Sequence, residues 1–361
     1  MSNAKDHPKF AFIIHPVSLE DIFRKFKFMR RWPRPLVENF MKRIPPLKVS
    51  EITGVKSSHA ETSGYFVSVN LTSEQMVALP ENYTINKIIK AGKLAEKLGA
   101  RITGLGAMTS VVGDAGVTVA RNLDIPVTTG NTFTIATALE GTEKAAEKMG
   151  IDLDRAECAV IGATGSIGSA CAEILAQRGV RYLTLMARDK EKLDQVADRI
   201  YKNSGVSAKV TSRIKETLPK ADMIVAVSGS EDALVDAGDL KSGAVVCDVA
   251  RPRDVSVKVA RERNDVLVIE GGVVEVPGDV EFNFNFGFPP KTAYACMAET
   301  MILALERKWE PFTLGREIRI DKVNRIVQLA HKHGFKLAGF RSFERAVSNE
   351  EIAEIKKRAG R

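Results

Sequence analysis

No apolar run in this sequence approaches the roughly 20 residues that a bilayer-spanning helix needs, so the expectation is a chain that does not cross a membrane as a helix. The opening stretch, MSNAKDHPKFAFIIHPVSLEDI, has only a short apolar patch before Pro16 and then an acidic pair, and it does not read as a signal peptide. Cysteine is scarce: Cys158, Cys171, Cys247 and Cys296 are the only four in 361 residues. No two have metal-ligand spacing, and a chain this long needs no disulfide staples. That points to a reducing, cytoplasmic setting. The five histidines are scattered. His331 and His333 are two apart and face different sides of a helix, so no metal site is expected. Internal repeats are absent as well.

What is present is an ordinary soluble composition, 44% hydrophobic and 27% charged, with a net charge of +8. The length suits about two domains, with or without an appendage. The positive balance fits an anionic cofactor, an acidic carrier protein or an anionic lipid surface. Nucleic acid is not expected as a partner, and the state of oligomerisation stays open.

Three regions emerge. Residues 1–133 alternate strand candidates (FAFII, YFVSVNL, RITGLGAM, DIPVTTGN) with the amphipathic stretch TINKIIKAGKLAEKLGA, and predict an α/β substrate domain. Near their start, LEDIFRKFKFMRRW carries Leu19, Ile22, Phe23, Phe26 and Met29 at helical spacing among basic residues. It reads as a basic amphipathic helix over 19–32, packed on the domain, touching a membrane peripherally, or docking an acidic carrier. Residues 134–281 begin with a helix, TIATALEGTEKAAEKM, and then alternate strands with helices, which predicts a Rossmann-type doubly wound parallel sheet. Residues 282–361 open on an aromatic-polar alternation, VEFNFNFGFPP, and continue as a helical C-terminal region.

AVIGATGSIGSA is the strongest local signal. An apolar strand end is followed by Gly162, Gly165 and Gly168 at three-residue intervals and then by a helix rich in small residues. The first glycine permits the tight turn. The second lets backbone approach a pyrophosphate, and the third brings helix and sheet close together. Thr164, Ser166 and Ile167 complete the expected phosphate cradle. In TLMARDK, Arg188 stands about where the second strand ends, the place from which a guanidinium can pair with a 2′-phosphate, so NADPH is the expected cofactor. Ser228 and Gly229 after the fourth strand, and Gly271 and Gly272 after the sixth, are the further cofactor-binding candidates.

Cys158, Cys171 and Cys247 sit in apolar or small-residue contexts and read as buried packing residues. Cys296, in PPKTAYACMAET, has two readings. It is either a small filler among alanines or a nucleophile whose helix start faces a cleft. Placed in the second turn of its helix, it would gain little from the helix dipole.

Ordered, dispersed stretches over about residues 11–335 resemble the long-chain acyl-[acyl-carrier-protein] reductases. They are IIHPVSLEDI, ITGLGAMTSVV, TTGNTFTIATAL, GIDLDRAECAVIGATGSIGSA, ADMIVAVS, GGVVE, PPKTAYACMAETMILALE and KHGF. The resemblance puts Cys296 on the family's acyl-accepting cysteine. It implies NADPH-dependent reduction of a fatty acyl thioester, on acyl carrier protein or coenzyme A, to a fatty aldehyde. It also makes His15 a candidate proton donor and Ser18, Thr109, Ser110, Thr128, Thr129, Asn131 and Thr132 candidate oxyanion or positioning residues. This sequence departs from the family at Ser166, where an acid is usual, and in some twenty-five residues beyond KHGF. The competing readings are a glutamyl-tRNA-reductase-like enzyme, a shikimate-dehydrogenase-like enzyme and a non-catalytic NADPH sensor. The first wants an N-terminal cysteine, and none precedes Cys158. The second wants an acid where Phe133 stands.

Overall fold

The computed structural model describes residues 9–230, 232–250 and 252–361. It divides into two compact units. The first comprises residues 1–131, 275–317 and 325–336, and the second residues 132–274, 318–324 and 337–361. The residues expected as one helical C-terminal region, 282–361, are therefore shared between the two units.

The first unit is built on a five-stranded sheet in the order β2-β3-β1-β4-β5. Its strands are β1 (Lys9–Ile14), β2 (Leu47–Lys56), β3 (Glu61–Ser68), β4 (Ala100–Leu105) and β5 (Val127–Thr128). β1 lies parallel to β3 and β4, β4 lies parallel to β5, and only β2 runs antiparallel, as a hairpin with β3. Four consecutive buried residues in β1, Phe10 to Ile13, mark a strand covered on both faces. The Glu81–Lys97 helix buries Ile85, Ile88, Ala91, Gly92 and Ala95, a three- and four-residue spacing that makes one continuous apolar stripe. This stripe packs on Ala11, Ile13, Val67 and Leu105 of the sheet.

The basic N-terminal stretch is not one helix. A helix over Leu19–Lys25 ends at Phe26, a tight 3₁₀ turn covers Lys27–Arg31, and a second helix runs Arg34–Arg43. Pro33 and Pro35 account for the separation of the 3₁₀ turn from the second helix, since neither can donate the backbone bond a continuing helix requires, and they lie too far along the chain to account for the end at Phe26. The expected apolar stripe turns inward. Leu19, Ile22, Phe23 and Met29 pack with Val37 and Met41 into a small core of their own.

The second unit holds β6 (Glu157–Ile161), β7 (Tyr182–Met186), β8 (Lys209–Thr211), β9 (Met223–Ala226), β10 (Val245–Asp248) and β11 (Leu267–Glu270). All five pairings are parallel and the order is β11-β10-β9-β6-β7-β8. Numbered within the unit this is 3-2-1-4-5-6, the doubly wound dinucleotide-binding order. β9, β10 and β11 are buried throughout, as strands covered by helices on both faces must be. The tail beyond Phe335 folds back on this unit. A hairpin of Phe340–Ser342 and Arg345–Val347 leads to a helix over Asn349–Arg358. Phe343 packs on the sheet core, Arg253 bridges Glu270 and Glu344, and Arg361 reaches Asp222 at 2.7 Å.

No helix among the described residues is long and apolar enough to cross a membrane.

Candidate active site

In the first unit, Cys296 lies on a helix over Ala295–Leu305 whose N-cap is Tyr294. The residues before it, Thr292–Tyr294, form a short strand rather than a first helical turn. β-branched and aromatic side chains favour that choice. Cys296 is therefore the second residue of the helix, in its first turn, where the positive end of the dipole acts. The expectation of a second-turn position is corrected accordingly. Ten of the eleven residues of this helix are buried, and Cys296 is the exception. A helix so apolar all round belongs in a core, which makes its one accessible residue conspicuous. No side chain caps this N-terminus.

Gly130 stands against the thiol-bearing residue. Its φ is +74°, and a Cβ built on it would fall 2.3 Å from the Cys296 Cα and 2.4 Å from its Cβ. Glycine is required there twice over, for the left-handed backbone and for the close approach. Two neighbouring threonine hydroxyls, those of Thr128 and Thr313, are engaged by a buried acid. The Thr128 hydroxyl donates to Glu299 Oε1 at 2.5 Å, and the Thr313 hydroxyl donates to the same oxygen at 2.9 Å. The Thr313 N–H returns to Thr128 Oγ1 at 3.1 Å, and Thr129 N–H donates to the Thr313 carbonyl at 2.9 Å. Glu299, wholly buried one turn after Cys296, thus pins the TTGN loop to the Cys296 helix. The sequence reading did not single out Glu299 or Thr313. An acid in an otherwise apolar helix was the available signal.

His15 is also in this unit, but both ring nitrogens are engaged. Nδ1 lies 2.9 Å from the Pro16 carbonyl and Nε2 accepts the Met108 N–H at 3.1 Å. That pattern fixes the neutral tautomer with the proton on Nδ1, and burial lowers the imidazole pKa, opposed by the bond to Pro16 and the charge of Asp21. Thr109 and Ser110 bond their own loop carbonyls, Gly106 and Ala107, both at 2.7 Å. Ser18 caps the Leu19–Lys25 helix in a capping box with Asp21. Lys291, the nearest cation in sequence to Cys296, pairs with exposed Asp279 at 2.8 Å.

In the second unit each glycine of the turn does a distinct job. Gly162 has φ +79°, and a Cβ on it would meet the Val227 carbonyl and Ser228 backbone within 3 Å. Gly168 touches the turn itself, with the Gly162 oxygen 2.3 Å from any Cβ. Gly165, between them, is exposed and is the N-cap of the Ser166–Gln177 helix, which again no side chain caps. The first N–H groups of that helix, those of Ser166, Ile167 and Gly168, are the ones that could cradle a pyrophosphate, and Thr164 flanks them. These residues fit a dinucleotide.

Arg188 is exposed two residues beyond β7. Asp189 caps the next helix, accepting the Lys192 N–H at 3.1 Å and pairing with its ammonium at 3.0 Å. Ser228 is held by a residue the sequence reading passed over. Asp254, wholly buried, accepts the Ser228 N–H at 2.7 Å and the Ser228 hydroxyl. Burial pushes the Asp254 carboxyl up, and its bonds to Ser228 act the other way. Gly229 has open space on its Cβ side. Gly271 packs against Val249, Cys247 and Ala138, and Gly272 has φ +82°. Cys158 and Cys171 are sealed in the core, and burial alone raises the Cys158 thiol to about 12. Cys247 is equally buried, with its thiol 3.7 Å from the Ala138 carbonyl.

Several known proteins resemble this chain in part or over most of its length. The family model for shikimate / quinate 5-dehydrogenase matches residues 143–270, within the second unit. Aminotransferase PigE of a Serratia species is 27% identical over 97% of this chain, although the chain spans only 42% of that protein. Among solved structures, Entamoeba histolytica malic enzyme aligns with 97% of this chain and 69% of its own, at 14% identity and a TM-score of 0.45. The long-chain acyl-[acyl-carrier-protein] reductase of Synechococcus elongatus is 30% identical over 91% of this chain and 98% of its own length. The protein belongs to the long-chain acyl-[acyl-carrier-protein] reductase family.

Proposed function

We propose that the protein reduces a fatty acyl thioester, carried on acyl carrier protein or coenzyme A, to a fatty aldehyde with NADPH, through an acyl group held on Cys296. One observation carries the reading: Cys296 is the only accessible residue of an otherwise buried helix, in that helix's uncapped first turn. A helix N-terminus favours a thiolate. It also offers backbone N–H groups to an oxyanion. The thiolate attacks the acyl carbonyl, the bond from carbon to the carrier sulfur breaks, and the carrier thiol leaves with a proton. Thioester exchange is nearly neutral in energy and requires no ATP. A bound reduced nicotinamide supplies the hydride for the second half. The resulting thiohemiacetal oxyanion expels the Cys296 sulfur, so each turnover consumes one hydride and one proton and returns a free thiolate.

Apolar surface precedes the nucleophile in the chain. Phe282, Phe284, Phe286 and Phe288 form a ladder of rings over Phe66, and Phe288 contacts Tyr294, the N-cap residue, at 4.4 Å between centroids. That is a suitable surface for an alkyl chain. NADPH is favoured over NADH because Arg188 is exposed at the end of β7 while Asp189, the acid that would take the ribose hydroxyls, is committed to a helix cap. His15 serves as the proton donor only by giving up one of its two present partners. Its bonds to Pro16 and Met108 suit a loop-positioning role equally well.

The test is thiol chemistry. Incubation with palmitoyl-CoA should add one acyl mass to the peptide containing Cys296, and NADPH should then release hexadecanal, detected by gas chromatography. An alcohol dehydrogenase of the shikimate kind, or a nucleotide sensor, would give neither product.

A further inference from the structure

The fold satisfies the apolar demand of its N-terminal segment with one set of residues and leaves a second set outside. Leu19, Ile22, Phe23, Met29, Val37 and Met41 are buried. Phe28, Trp32, Leu36 and Phe40 are not: they are 59, 36, 54 and 41% exposed. These four belong to one surface. Phe28 and Trp32 meet edge to face at 5.9 Å, Trp32 and Phe40 at 5.8 Å, and Leu36 lies one helical turn before Phe40. Single exposed apolar residues need no explanation, but a contiguous aromatic ridge does.

The charge around the ridge is of one sign. Residues 27–43 contain Lys27, Arg30, Arg31, Arg34, Lys42 and Arg43 against the single acid Glu38, a net of +5 in a chain of +8. Arg30 is engaged with Glu20 at 2.9 Å. Lys27, Arg31, Arg34 and Arg43 are exposed. The segment is fastened to the unit at its far end, where Tyr83 and Lys87 donate to the Lys42 carbonyl, so its helix axis is held while the ridge points outward.

We propose that this ridge is a peripheral docking site for an anionic lipid bilayer, with Phe28, Trp32, Leu36 and Phe40 entering the interface and the flanking cations meeting lipid headgroups. Tryptophan and phenylalanine are the side chains that partition into the interfacial region, and each nearby Lys or Arg adds attraction to an acidic leaflet. A soluble acidic partner would use the cations but would leave four large apolar side chains without a comparable role. The inference does not depend on the chemistry assigned to Cys296.

The experiment uses the full chain in a Trp309→Phe background, so that Trp32 is the sole reporter. Vesicles of phosphatidylcholine with 30 mol% phosphatidylglycerol should co-sediment the protein, shift Trp32 emission to the blue, and allow quenching by brominated acyl chains. Phe28→Ser/Trp32→Ser/Phe40→Ser should lower the partition coefficient at least tenfold, read by sedimentation, with an unchanged circular-dichroism spectrum and melting temperature. Arg31→Glu/Arg34→Glu, which keeps every ridge residue, should lower it several-fold and weaken its salt dependence. Four results would each overturn the proposal: no binding to the anionic vesicles; binding that the ridge variant leaves intact; a blue-shifted Trp32 in a dimer without lipid; or ridge-dependent binding of an acidic carrier protein with no vesicle binding.

Discussion

Each unit contains a helix whose N-terminus no side chain caps, and the two differ in what stands at the opening. In the second unit the opening residue is Gly165, exposed and without a side chain, followed by Ser166, Ile167 and Gly168. In the first unit the opening carries Cys296, with Gly130 pressed against its backbone. On the function proposed above, one helix end would receive an anion and the other would carry the thiol that becomes one. The cysteines show the same division. Cys171, halfway along the first of these helices, is sealed, and burial raises its thiol far above the usual range. Cys296, at the start of the other, is accessible.

The largest effect should come from Cys296→Ala. Aldehyde formation should fall by at least about a thousandfold, with no acyl mass adduct, while NADPH affinity measured by fluorescence titration stays within twofold. A variant that kept both acylation and turnover would put the nucleophile elsewhere. Next in size are the two close-approach glycines. Gly130→Ala forces a Cβ into the Cys296 backbone at a left-handed φ and should cost roughly 2–4 kcal/mol in denaturant unfolding, together with slowed acylation. Gly168→Ala should instead damage nucleotide binding, because its Cβ would enter the Gly162 carbonyl. If both variants impaired the same property, the division of labour between the helix ends would be wrong. Arg188→Ala should raise the Kd for NADPH by about tenfold or more and leave that for NADH nearly unchanged, as expected when a charge-assisted bidentate pair is lost. Equal losses would remove the case for a 2′-phosphate.

The smallest effect concerns stability alone. Burial disfavours the charged form of Asp222, but bonds from Lys241, the Glu157 N–H and Arg361 outweigh it and hold the carboxyl below the usual range. A depressed folded-state pKa stabilises above the unfolded value and is lost as pH falls through the folded one. Asp222→Asn should therefore cost on the order of 1 kcal/mol at neutral pH. It should also flatten the loss of stability below about pH 4, the unfolded carboxylate range, as measured by thermal melts across that window.

Much of this was legible in the residues. A glycine turn imposes residue type through positive φ and through contact, so Gly162 and Gly168 announced themselves, and parallel strands covered on both faces read as apolar runs. The strand β2 and the hairpin it forms were not anticipated. The start of the Cys296 helix was misplaced because Thr292–Tyr294 reads as helix by composition and is strand by context. Glu299 was invisible because its partners Thr128 and Thr313 lie 171 and 14 residues away in the chain. The amphipathic stripe of residues 19–29 was found by its period, but a period does not say which apolar face meets core. A second set, Phe28, Trp32, Leu36 and Phe40, faces outward.

The two sheets also differ in how they can assemble. The β2–β3 hairpin joins strands separated by four residues, so its rungs close a short loop. The nucleotide sheet has no such local pairing: every neighbour is parallel and reached by a crossover. Each of its rungs must wait for a long loop to close, and closure entropy slows such contacts. On refolding, the β2–β3 hairpin should therefore acquire protected amides before the parallel pairings of either sheet, those of β1 with β3 and β4 included.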